Sequence, residues 1–224
     1  MTKSKINLPK QIIGFTLMEL MITLSILSVI VVLAAPSFTG SVQRGRLTAQ
    51  INQITGLIAY ARSEAAKRPN TTITLCGSND PTAATPVCNT SNWEAGWLIF
   101  SDANADKVLN VTNEDLNGNS ILDAGEDING NGILDSATDE LLQLGTPLAG
   151  GNTLRTTGFT SSDSLQFNAT GLPDSAGTFV LCDSKGVTKA KAVAVGIIGR
   201  TRLAVDEDTD NIVNDQSGAN VTCP

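Results

Sequence analysis

The feature that most limits what this chain can fold into is the run at 15–35, FTLMELMITLSILSVIVVLAA, 21 residues with a single charge, Glu19. As a helix it would be about 31 Å long at ~1.5 Å per residue, enough for the hydrocarbon core of a bilayer. It is longer than the ~7 to 15 apolar residues of a secretory signal peptide, and the small residue that marks a boundary, Gly14, precedes it. Lys3, Lys5 and Lys10 all precede Gly14. The positive-inside rule keeps that end cytoplasmic and sends everything after Pro36 across the membrane. A lone carboxylate at bilayer depth costs about 2.5 to 3.5 kcal/mol on insertion scales, so Glu19 calls for a partner. Cleavage after Gly14 would create one in the α-amine of Phe15, one helical turn away or on a neighbouring subunit.

Helical patterning continues beyond Pro36. Leu47, Ile51, Ile54, Ile58, Ala61 and Ala65 recur at spacings of 4, 3, 4, 3 and 4, an amphipathic stripe that should pack on a folded domain. Pro69 disfavours helical geometry in Arg68, so the helix should end near Lys67. One helix of some fifty residues is expected, membrane-spanning over 15–35 and amphipathic over 36–68.

The rest of the chain is acidic: 22 Asp and Glu oppose 15 Lys and Arg over the whole sequence, and 12 once the leader lysines are removed. Such a surface repels nucleic acid and anionic lipid on average. The absence of histidine removes most zinc sites and Ser-His or Cys-His catalysis, and no enzyme activity is expected.

From Pro69 onward, short β-branched runs alternate with Gly, Asn, Asp and Ser. They predict strands near 71–76, 96–101, 164–168, 178–182, 192–198 and 200–205. Trp93 and Trp97 read as packing residues of this β-rich head. Four cysteines in an exported domain predict two disulfides, and three pairings are open from sequence.

Gly14, Phe15, Thr16, Leu17, Met18 and Glu19, a basic leader ending in Gly followed by Phe and by Glu at the fifth mature position, resemble the processing motif of type IV pilins and type II secretion pseudopilins. TLCGSND, WEAGWLIFSDANAD, FVLCDSKG, GRTRLAV and the Cys-Pro terminus resemble the GspH/FimT branch of minor pilins. The resemblance implies a pilin-like α+β lollipop, with a leader at 1–14, the long helix, and a β-rich periplasmic head at 69–224. It implies cleavage and methylation by a prepilin peptidase at Gly14 and Phe15, docking through Glu19, and partners among other pilins or pseudopilins. A single inner-membrane span would precede assembly into a filament for type II secretion or a type IV pilus. It also favours Cys76 with Cys88 and Cys182 with Cys223.

The segment from Val111 to Glu140 departs from the family pattern, within an acidic insertion at about 102–140. Ten of the 22 acids lie between Ser101 and Glu140, against one base, Lys107. Asp115, Asn117, Asn119, Ile121, Asp123 and Glu126 occupy positions 1, 3, 5, 7, 9 and 12 of a calcium-loop pattern, in which Ile121 offers its carbonyl. Asp127, Asn129, Asn131 and Asp135 repeat it with Thr138 at position 12, and the segment from Asp102 is a looser copy ending in Asn113. Calcium is the one cofactor this pattern predicts; an acidic surface loop built from ordinary turn formers is the alternative.

In Gly199-Arg200-Thr201-Arg202, a strand would put both arginines on one face about 6.6 Å apart, suited to successive phosphates. In the FimT-like half of the branch such a GRxR motif is linked to DNA binding during uptake, so DNA is the alternative partner. An edge strand protected by charge is the plainer reading.

Overall fold

The computed structural model describes residues 14–83, 85–110, 114–116, 118–127, 132, 134 and 139–224, with backbone only at 33–37. Most of the leader therefore lies outside the described residues. Helix α1 runs Leu17–Lys67. Thr16 caps it: its Oγ1 accepts a hydrogen bond from the Glu19 amide at 3.2 Å. Thr followed three residues later by Glu is the capping-box spacing, and a carboxylate in the first turn complements the positive end of the helix dipole. The helix ends where Pro69 requires it, and Asn70 turns the chain with φ +65°.

The chain forms two compact units, Met1–Gly45 and Arg46–Pro224. In the first, the large apolar side chains between Phe15 and Val32 are each half or more exposed to solvent. No helix among the described residues is long and apolar enough to cross a membrane. The described apolar part of α1, 17–32, covers about 24 Å, short of the ~30 Å core, and the expected span at 15–35 includes 33–35, whose side chains are not described.

The second unit holds two four-stranded antiparallel sheets. One has the order β3-β2-β1-β5, from Glu140–Gly145, Trp97–Asp102, Thr72–Gly77 and Ser164–Phe167. The other has the order β4-β6-β7-β8, from Thr153–Thr157, Gly177–Cys182, Lys191–Val195 and Thr201–Leu203. Strand alternation sends Ile73, Leu75, Trp97 and Ile99 of the first sheet and Phe179, Leu181, Val193 and Val195 of the second into one core. The expected stripe of α1 fills that core, and none of its six residues is more than 3% exposed. Trp93 and Trp97 are buried there, with Trp93 edge-on to Phe179 at 5.0 Å between ring centroids.

The opposite faces are covered as well. Cys76, Leu98, Phe100 and Leu109 form a second cluster with Cys88, and Val180, Cys182, Ala192 and Val221 a third with Cys223. Disulfides Cys76–Cys88 and Cys182–Cys223 fasten loop and tail over these faces. Strands covered on both sides read as continuous apolar runs, which is why five of the six expected strands lie close to their predicted places. The sixth, expected at 200–205, shortens to Thr201–Leu203. The run expected at 192–198 stops at Val195, because Gly196 to Arg200 make the turn into β8. Strands β3 and β4 were not anticipated: ELLQLG lacks β-branched residues, and TLRTT carries a charge at its centre.

Two substitutions test this packing. Ile58→Ala should lower stability by about 2 to 5 kcal/mol in urea unfolding. Gly145→Ala should also destabilise, because a Cβ there would lie 1.8 Å from the Trp97 ring.

Candidate functional site

The processing motif occupies the start of the first unit. Gly14 to Thr16 are non-helical, and Glu19 is exposed in the first turn of α1. Phe15 is 85% exposed and Gly14 is exposed beside it. Phe15 precedes the helix, and the Glu19 amide is held by Thr16.

The acidic insertion grows from the β2–β3 hairpin. Its loops repeat one backbone design. Asp102 accepts hydrogen bonds from the amides of Asp106 and Lys107 at 3.2 and 3.0 Å. Asp115 accepts from Gly118, Asn119 and Ser120 at 2.7, 3.0 and 3.0 Å. Asp127 accepts from Gly132 at 3.1 Å. The sixth residue of each loop, Lys107, Ser120 or Gly132, has positive φ, as the sixth position of a calcium loop requires for its sharp turn. Residue 5 fixes residue 7: Asp106 accepts from the Val108 amide and Asn119 from the Ile121 amide. Asn119 Nδ2 donates to Asp123 at 2.7 Å, and buried Glu126 accepts the amides of Leu116 and Asp123. Among the described residues, Asp127 Oδ1 is buried without a hydrogen-bond partner, the kind of oxygen a cation would satisfy. Asn117, Asn129, Asn131 and Asp135 lie outside the described residues.

A fourth copy of this design stands where sequence reasoning did not look. Asp206 accepts from the amides of Thr209 and Asn211 at 2.7 and 2.8 Å, Asp210 accepts from Ile212, and Asn211 at position 6 has φ +70°. Among the described residues, the carboxylates of Asp206, Asp208 and Asp210 are the group of three whose oxygens all lie within 4.8 Å of one another. Asp115, Asp123 and Glu126 do not converge to that degree. The signal was readable: DEDTDNIVN has acids at 1, 3 and 5 and Asn at 9, but it read only as charge beside the arginines. Desolvation raises the Asp206 carboxyl, yet hydrogen bonds from the Asn211 and Thr209 amides, with others from Asp208 and Asp210, together hold it below the usual carboxylate range. Desolvation and the Asp210 charge push Asp208 up.

The neck of the insertion is closed by Asp139. Its oxygens accept from the amides of Ala103 and Asn110, both at 2.9 Å, while its own amide donates to the Asn110 carbonyl at 2.6 Å. Burial pushes its carboxyl up to about 6 against these hydrogen bonds, with help from the charges of Asp102 and Asp106. Burial likewise raises Asp102, although the Thr74 hydroxyl donates to it at 2.6 Å.

The arginines of the GRTR turn go separate ways. Arg202, on β8, pairs with Glu207 at 3.5 Å. Arg200 precedes the strand and lines a cavity beside α1.

The family described as type II transport protein GspH matches residues 50–199, and the prokaryotic N-terminal methylation motif matches residues 10–35. The crystal structure of the type IV minor pilin FimU of Pseudomonas aeruginosa (strain PAO1) is similar, with 17% identity, 73% of this chain and 91% of that chain covered, and a TM-score of 0.45. A second crystal form gives 15%, 70%, 92% and 0.43. No curated protein matches.

The raised Asp139 carboxyl sets a pH dependence. A carboxyl that binds its proton more tightly folded than unfolded contributes stability below about pH 4, and that contribution is lost as pH rises through about 6. With chelator present, the wild-type chain should therefore lose more stability than Asp139→Asn between pH 4 and 7, as read from urea midpoints. Parallel profiles would contradict this.

Proposed function

The chain belongs to the GspH family of type II transport proteins, and we propose that it acts as a minor pilin or pseudopilin, a structural subunit that a prepilin peptidase cuts after Gly14 and methylates on Phe15. The observation that carries this reading is the methylation motif at residues 10–35, set on a helix whose apolar side chains are exposed from Phe15 to Val32. So large an exposed apolar surface needs another apolar environment, first lipid and then the helices of neighbouring subunits. In this reading 15–35 is a single inner-membrane span, the head faces the periplasm, and the assembled filament serves type II secretion or a type IV pilus.

Glu19 then has two successive roles. Before assembly it belongs to the helix cap with Thr16. In a filament its carboxylate meets the methylated amine of a neighbouring Phe15, which offsets the cost of a lone charge in an apolar setting. The alternative, DNA binding through Arg200 and Arg202, has less support, since Glu207 already engages Arg202.

Calcium is proposed as the cofactor of the acidic loops. Asp115, Asn119, the Ile121 carbonyl, Asp123 and Glu126 would hold one ion, with Asn117 if it follows the pattern, and Asp127 with Asn129, Asn131 and Asp135 another. The repeated loop design and the unpartnered Asp127 oxygen support this reading. The ion would add to the amide contacts and neutralise carboxylates that otherwise repel one another.

Two outcomes follow. Glu19→Ala should still be cut and methylated, yet be missing from the sheared or overexpressed filament fraction; normal incorporation would remove the role given to Glu19. Calcium should bind in isothermal titration and slow proteolysis within 102–140. A flat titration with unchanged cleavage would leave these loops as ordinary acidic turns.

A further inference from the structure

Arg62 of α1 and Arg200 of the β7–β8 turn line one cavity of about 550 Å³, together with Ser63, Thr170 and Thr201. Arg62 is held in place by the backbone. Its Nε donates to the Gly171 carbonyl at 3.1 Å, and its side chain runs between Gly171 and Gly199. Both glycines have positive φ, and a Cβ on Gly199 would meet the Gly171 carbonyl at 2.7 Å and Arg62 Nε at 3.1 Å. Glycine at 199 therefore serves two needs, the turn and the close approach of a guanidinium.

Neither arginine has a carboxylate partner among the described residues, whereas Arg68, Arg155 and Arg202 each have one. The chain carries 22 acids against 15 bases, so acids are in excess, yet two arginines line one cavity whose lining holds no carboxylate. A half-buried arginine held at Nε by a backbone carbonyl, on the same cavity as a second, exposed arginine, is a site for an oxyanion.

The surroundings decide which oxyanion. Ile197 and Ile198, next to the cavity in sequence, are 77% and 51% exposed, and Leu172 is 41% exposed. These aliphatic groups have no counterpart on a sugar-phosphate backbone, and no aromatic ring lines the cavity to stack a base. We propose that Arg62 and Arg200 form a carboxylate-binding notch for a protein partner, taking an Asp or Glu side chain whose aliphatic neighbours cover Ile197, Ile198 and Leu172.

The test is fluorescence anisotropy on the full chain in detergent micelles, with a short fluorescein-labelled peptide of alternating Asp and Leu as probe and a labelled duplex DNA beside it. The peptide should bind wild type, and Arg200→Gln should weaken it about tenfold or more, as loss of a charge-assisted contact does. Arg200→Gln leaves the Arg62 to Gly171 bond untouched, and unchanged near-UV circular dichroism would show the fold intact. Lys185→Gln, an exposed cation in a different turn, should not alter binding. Equal peptide binding by wild type and Arg200→Gln, or no peptide binding, would overturn the proposal. So would duplex DNA that binds, displaces the peptide and is lost with Arg200→Gln, since the notch would then be a phosphate site.

Discussion

The second unit depends on a single strip of side chains, the stripe of α1 from Leu47 to Ala65, which shares one core with the inner faces of both sheets. Burial of Leu47, Ile51, Ile54 and Ile58 contributes on the order of 6 to 12 kcal/mol at ~1.5 to 3 kcal/mol each. Exposed ion pairs such as Lys67 with Glu64 add about 0 to 1 kcal/mol each, so packing outweighs surface charge here. Ala61 and Ala65 end the stripe with small residues, both fully buried, where longer side chains would push the strands away. The outer faces of the sheets then need covers of their own. One disulfide holds a loop over the first, and the other holds the C-terminal tail over the second.

The same helix has the opposite character in the first unit, where its apolar residues face outward. No folded part of the chain covers them among the described residues, and the N-terminal methylation motif spans 10–35. The head adds polar devices that do not touch this strip. Four Asp-led loops use one hydrogen-bond scheme, in which a carboxylate at position 1 satisfies amides at positions 4 to 6 and a positive φ closes the turn. That scheme works as an ordinary Asx turn without an ion and leaves further oxygens for one.

Much of this was legible in the sequence because apolar periodicity and punctuation are local signals. The 4-3-4-3-4 stripe and Pro69 placed the helix face and its end, and Cys76, Cys88, Cys182 and Cys223 paired as the resemblance implied. β3 was missed because its partner β2 lies across some forty residues of insertion, and a pairing that distant leaves no trace in ELLQLG itself. The arginine notch was invisible for a similar reason: Arg62 and Arg200 are far apart in sequence and meet through two turns with positive φ at Gly171 and Gly199. The Asp206 loop was legible in principle, from the same spacing recognised at Asp115, but its acids stand beside the arginines of the GRTR turn and read only as charge.

The central claim is that the chain matures at Gly14-Phe15 and keeps its apolar helix. Intact mass spectrometry of the chain, isolated from the membranes of cells carrying a prepilin peptidase, tests this directly. The account predicts a mass equal to residues 15–224 plus one methyl group, less four hydrogens for the two disulfides, with N-methylated Phe15 at the terminus. A chain that retains residues 1–14, or one cut on the far side of the apolar run after Ala35, would contradict it.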